Sequence, residues 1–338
     1  MDLSATSNGR GLIGQTAGRT LLWSAAAAAG LLYPLLTTTA KGLHQGVLVC
    51  LYGIVVYGLG FLYSVAGQLS VAHGALWGIG AYVTALLALK LGVSFWICLP
   101  IAAIATAAFA GLMGYPSLRV KGHYFLIMTF AFAEIARTIA LNWRDVTNGD
   151  TGLVITAPPD RLGPIVLNTR MDWYYFTFAL MIIGIFAVAL LKRSALGKRL
   201  TAIGENDLLA EASGVAASRD KVIAFMISGV YAGIAGTCWA FYQHYVNPDS
   251  LGSHTGIEFI LMLLIGGNQF LLGPIVGVIV AIFLPDVFGF SPTQNEIALG
   301  IALVAIILFM PQGVLGALRL LIVRAGIVRL ANKVGPDR

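Results

Sequence analysis

Glu134 and Arg137 stand one helical turn apart near the centre of an otherwise apolar run, residues 123–142. A charge in mid-bilayer costs roughly 2.5–3.5 kcal/mol on insertion scales, so each needs a partner. An i,i+3 pair turned toward the interior of a helix bundle would supply one; a polar lining for a solute path would use the charge. A second polar feature is Gly67-Gln68-Leu69-Ser70-Val71-Ala72-His73-Gly74, a glycine-flanked break between two apolar runs. A plain loop would not need Gln68, Ser70 and His73 so close to the apolar boundary. Glu258, early in another run, would place negative charge where a helix dipole favours it. Gly266-Gly267-Asn268-Gln269, followed by Gly273-Pro274, reads as a broken helix, a re-entrant turn or a turn between two short spans. Backbone groups freed there must be satisfied by protein or by a wet cavity. Gln68, Ser70, His73, Glu134, Asn268 and Gln269 are the candidate path-lining residues.

Catalytic signatures do not occur in the sequence. There is no Gly-x-x-x-x-Gly-Lys-Ser/Thr loop to cradle nucleotide phosphates, no His-Glu-x-x-His and no Gly-x-Ser-x-Gly. The five histidines lack metal-ligand spacing, and Cys50, Cys98 and Cys238 all sit inside apolar runs, where they read as small buried side chains. A membrane enzyme would need a constellation that these residues do not form.

The elements that must position the polar residues are membrane helices. Hydrophobic residues are 58% of the chain and charged residues 11%, with a mean hydropathy of +0.85. A soluble chain of this length would carry more surface charge. The runs are apolar on all sides rather than alternating, which disfavours a β-barrel. The sequence predicts an all-α integral membrane protein of about ten transmembrane helices, with the broken or re-entrant region near 266–274. The spans are residues 20–40, 43–65, 72–90, 94–114, 123–142, 173–191, 222–244, 256–268, 271–288 and 296–314. The net charge of +6 lies in short patches between runs, as in cytoplasmic loops, and no aromatic-interleaved basic face suggests nucleic acid. Arg119 and Lys121, the patch from Lys192 to Lys221, and the tail from Arg319 all fall on the N-terminal side if the chain crosses ten times. Arg10 and Arg19 before Leu21–Leu36 resemble a signal peptide, but the length of the run favours an uncleaved first helix. Gly74/Gly78, Gly229/Gly233 and Gly273/Gly277 have small-xxx-small spacing, which predicts close helix packing and a contact between protomers.

Ser194–Val215 is the extended loop of the basic side. Leu196, Leu200, Ile203, Leu208, Ala212 and Val215 form an approximately helical apolar stripe, interrupted at Gly204 and closed by Gly214. Lys198, Arg199, Glu205, Asn206, Asp207 and Glu211 take the other face. Such an element either lies on the membrane surface or inserts into a groove on a cytosolic partner.

Four segments of the chain resemble the permease subunits of bacterial branched-chain amino-acid ABC importers, of the LivM type. They are GQLSVAHGALWGIGAY (Gly67–Tyr82), with Ala72 where a glycine is usual, and LRVKGHYFLIMTFAFAEI (Leu118–Ile135) followed by TNGDTGL. The third is AIGENDLLAEASGV with KVIAFMISGVYAGIAG, and the fourth pairs IGGNQFLLGPIVG with FMPQGVLG. The resemblance covers roughly residues 43–318. The family commonly has an arginine where Gly204 stands, which removes one ionic contact from the implied interface.

The resemblance implies a translocation path without catalysis. The chain would bind no cofactor; ATP would be used by partner subunits. Those partners are two cytosolic ATP-binding subunits, a second homologous permease and a periplasmic substrate-binding protein, within bacterial inner-membrane lipid and with both termini cytoplasmic. Glu205, Asn206, Asp207 and Glu211 would sit in the ATPase-coupling loop, which Gly214 ends. The implied organisation is a cytoplasmic segment 1–19, a permease domain 20–318 containing the periplasmic loop 143–172 and the coupling loop 192–221, and a basic tail 319–338. Relatives of this kind move leucine-like amino acids, urea, short amides or aromatic acids. A stand-alone secondary transporter or channel is the rival reading.

Overall fold

The computed structural model describes residues 27–37, 39–118, 122–156, 167–268 and 271–289, with a few isolated positions outside them. Arg119, Lys121, Gln269, the expected basic tail and nearly all of the first 23 residues lie outside these segments, as does most of the tenth expected span.

Six described helices are long and apolar enough to cross a bilayer. They are α2 (Ala40–Ala66), α3 (Ala72–Leu91), α4 (Phe95–Ser117), α5 (His123–Asn142), α7 (Arg170–Arg193) and α10 (Ala217–Gln243). Three shorter apolar helices accompany them: α1 (Ala27–Leu36), α11 (Ser253–Gly266) and α12 (Gly273–Phe288). A one-turn α6 (Arg144–Thr147) follows α5, and α8 (Ala195–Glu205) and α9 (Asp207–Ala212) follow α7. Most boundaries fall within three residues of the sequence expectation. The largest departure among the long helices is the start of α10, at Ala217 against an expected 222; at the first junction Thr39 caps α2 through its side chain and starts that helix at Ala40.

Hydrophobicity on every side places α2 at the centre, because a helix apolar all round has no face to give to water. It packs against α7, α10 and α12, while α10 packs on α4 and α3. The predicted glycine pairs are spent inside the chain. Gly74 faces the backbone of Gly252 and Gly256, Gly229 and Gly233 face Thr106 of α4, and Gly273 and Gly277 face α11. The close approaches that these glycines permit are filled by neighbouring helices of the same chain.

The loop after α5 also carries structure that the all-α expectation lacked. Leu153–Val154 (β1) pairs antiparallel with Tyr245–Val246 (β2), tying the loop to the chain emerging from α10. The segment after β2 then returns into the bundle. Its 3-10 turn, Pro248–Leu251, packs on α3 and α5, and α11 begins level with the middle of α5.

Candidate functional site

Two polar regions stand out, one at the α8–α9 corner and one beside the middle of α5. The first is α8–α9. The Ser194 side chain caps α8 at Gly197 N, and the Asn206 side chain caps α9 by accepting from Leu209 N. The helical break therefore falls at Asn206, not at Gly204 as the stripe suggested. Gly204 lies within α8, where an added Cβ would come 2.9 Å from the Val65 carbonyl oxygen. Its missing side chain lets α8 lie against the end of α2.

Leu200 and Ile203 are buried as expected, but Leu208 and Leu209 are 71% and 66% exposed. The apolar stripe thus holds for α8 and turns outward on α9. Two ion pairs fasten this element to the start of α10. Arg199 donates to Asp220 at 2.6 Å, and Lys221 donates to Asp207 at 2.7 Å. The hydrogen bonds that Arg199 donates to Asp220 raise the Arg199 pKa above its ordinary value. Asp220 and Lys221 are themselves almost wholly buried. Asp207 is consequently committed within the chain, whereas Glu205 and Glu211 are exposed. Gly214 (φ 84°) makes the left-handed turn from α9 toward α10. A cavity of about 350 Å³ opens between Gln68 and the Glu205–Leu208 corner, with Lys221 in its wall.

The second region surrounds Glu134. Its Oε1 accepts from the Ser253 backbone N–H at 3.1 Å and from the Ser253 hydroxyl at 2.5 Å. Gly252, the residue before α11, supplies no side-chain cap. Glu134 therefore satisfies an orphan donor and places negative charge at that helix N-terminus. This corrects the role expected of Glu258. Glu258 is the sixth residue of α11, beyond the reach of the terminal dipole, with His254 at 3.9 Å. The expected Glu134–Arg137 pair is long, at 4.0 Å. The principal partner of Arg137 is Asp249, whose Oδ1 accepts from Nε at 3.1 Å and from Nη2 at 2.9 Å. These residues, with Asn247, His254 and Thr255, line a cavity of about 550 Å³.

The remaining candidates are placed as follows. Ser70 and His73 are fully buried and Gln68 nearly so; Gln68 Oε1, Ser70 Oγ and both ring nitrogens of His73 lack a hydrogen-bond partner among the described residues. The His73 ring instead meets Phe225 edge-on at 5.9 Å. Val71 N donates to Thr129 Oγ1 at 3.2 Å, so the α2–α3 break lies alongside α5 rather than outside the bundle. Asn268 stands at the α11–α12 turn against Gly60. The structure does not gather Asn268 and His73 into the Glu134 cavity. Asp249, Ser253, Asp220 and Lys221 were missed as site residues; a lone Asp beside Pro248 and a Ser after Gly252 carry no signal without the fold.

Comparison with known proteins gives a consistent set of relatives. The family described as "Branched-chain amino acid transport system / permease component" matches residues 43–310. The LivM high-affinity branched-chain amino acid transport permease of Escherichia coli K12 is 29% identical over 290 residues, 79% of this chain and 68% of that protein. Its counterpart from Salmonella typhimurium LT2 is 28% identical over 287 residues, 78% of this chain and 68% of the relative. BraD of Pseudomonas aeruginosa is 24% identical over 310 residues, 84% of this chain and 97% of the relative. No solved structure matches.

Proposed function

The chain belongs to the branched-chain amino acid transport permease family, and on that basis we propose that it forms the transmembrane path of a binding-protein-dependent ABC importer for aliphatic amino acids. The work of ATP hydrolysis then falls to separate subunits. The partners are two cytosolic ATPases, a second, homologous permease and an external binding protein. In this reading the chain crosses a bacterial inner membrane ten times with both termini inside, α11 and α12 serving as two short crossings joined at Gly266–Gly273. The coupling loop spans 192–221 and the external loop 143–172, between a short inner segment, 1–19, and a basic inner tail, 319–338.

One observation supports the coupling role above the others. α8–α9 projects from the bundle end yet is bolted to α10 by the Arg199–Asp220 and Lys221–Asp207 pairs. An ATPase docking on exposed Glu205, Leu208, Leu209 and Glu211 would push on a lever rather than on a slack loop. Co-expression with the ATPases and permease partner tests this. Glu205→Lys with Glu211→Lys should cut ATPase recovered with the tagged chain by about tenfold or more, the scale of a lost charged contact pair. Full recovery with ATP-driven uptake would remove the coupling role.

A further inference from the structure

Glu134 is the twelfth residue of the 20-residue α5, about 16 Å from its start, and its side chain is 37% exposed. That of Arg137 is 35% exposed. The neighbouring α4 turns Ile97, Ile101, Ile104 and Leu112 outward, and α7 turns Ile182, Ile183, Phe186 and Leu190 outward. Those two faces suit lipid. α5 also turns Ile127, Phe130, Ile135 and Ile139 outward, but the partly open charges among them must face protein or water rather than lipid.

The cluster is satisfied on one side only. Glu134 Oε1 is taken by Ser253 and Asp249 Oδ1 by Arg137. Glu134 Oε2, Asp249 Oδ2 and Arg137 Nη1 make no hydrogen bond to the described residues, and all three residues line the 550 Å³ cavity. The Tyr82 hydroxyl is buried without a hydrogen-bond partner among the described residues. Two carboxylates against one guanidinium leave the cluster net negative; Glu134 Oε2 and Arg137 Nη1 face each other at 4.0 Å, beyond hydrogen-bond reach, so each still has hydrogen-bonding capacity for a ligand.

We propose that this cavity is a substrate-contact site of the path. It takes the zwitterionic head of an α-amino acid, with the ammonium between Glu134 Oε2 and Asp249 Oδ2 and the carboxylate on Arg137 Nη1. The site rests on the permease reading. It lies beside the middle of α5, lined by the segment that follows β2. The half-helix α11 contributes through Ser253, which fixes one Glu134 oxygen and so aims the other into the cavity.

The test is uptake of radiolabelled leucine by the complete transporter, with binding protein and ATPases, in proteoliposomes. Glu134→Gln keeps one acceptor for Ser253 while removing the charge and the second acceptor. Uptake should fall about tenfold or more, as expected for a lost charge-assisted hydrogen bond, while a residue that merely caps α11 would tolerate the change. In a Thr255→Cys transporter, labelling by a membrane-impermeant thiol reagent from the binding-protein side should be blocked by saturating leucine. That measurement decides the matter if Glu134→Gln does not assemble. Wild-type uptake with Glu134→Gln unaltered, or labelling indifferent to leucine, would overturn this site alone. Failure of the wild-type complex to take up any aliphatic amino acid with ATP would overturn the permease reading, and the site with it.

Discussion

Lys221 and Asp207 form the most deeply placed ion pair described in the chain, with side chains 5% and 15% exposed. Taking one charge away strands the other in a poorly solvated site, which typically costs about 3–5 kcal/mol. Lys221→Met should therefore lower the thermal unfolding midpoint of the purified chain sharply. Adding Asp207→Asn should restore most of the loss, because no buried charge is then left alone. A double variant as unstable as the single one would show that packing, not charge, holds α9. The sequence displayed Lys221 only as one member of a basic patch. Its partner, 14 residues upstream, became visible only once α9 folded back on α10. The same limit applied to Glu134. Its oddity was plain in the apolar run, but its closest partner, Ser253, lies 119 residues away.

Helices were legible because a bilayer imposes length and apolarity on every span, so α2 to α5, α7 and α10 could be read nearly residue by residue. What escaped was where a helix begins in depth. α11 starts beside the middle of α5, and nothing in Ser253–Gly266 distinguishes that from a start at the surface. Close backbone approach fixes it there. Gly256 lies against the Val71 carbonyl so tightly that a Cβ cannot enter without displacement. Gly256→Leu should abolish recovery of folded protein on size-exclusion chromatography, since overpacking already costs roughly 1–3 kcal/mol where the backbone can yield. Gly204→Ala is the milder counterpart. It should loosen α8 from α2 and quicken trypsin cleavage after Lys198 and Arg199; cleavage at the wild-type rate would mean that Gly204 is not what seats the helix.

At the scale of the whole molecule, the two polar regions are joined by α10 and α3. α10 carries Asp220 and Lys221 at its first turns and leads into the Asn247–Ser253 segment at its far end, where Asp249 holds Arg137. Movement imposed on α8–α9 would thus be felt at the Glu134 cavity through one 27-residue helix. The proposed division of labour rests on features that the sequence displayed: apolar spans, no nucleotide-loop pattern and one amphipathic element between spans. The proposed dependence on ATPase partners is tested most directly by reconstitution. Proteoliposomes holding both permeases, with the binding protein, should accumulate leucine only when the ATPases and Mg-ATP are also supplied. Accumulation by the permeases without the ATPases, driven by a proton or sodium gradient, would contradict the account.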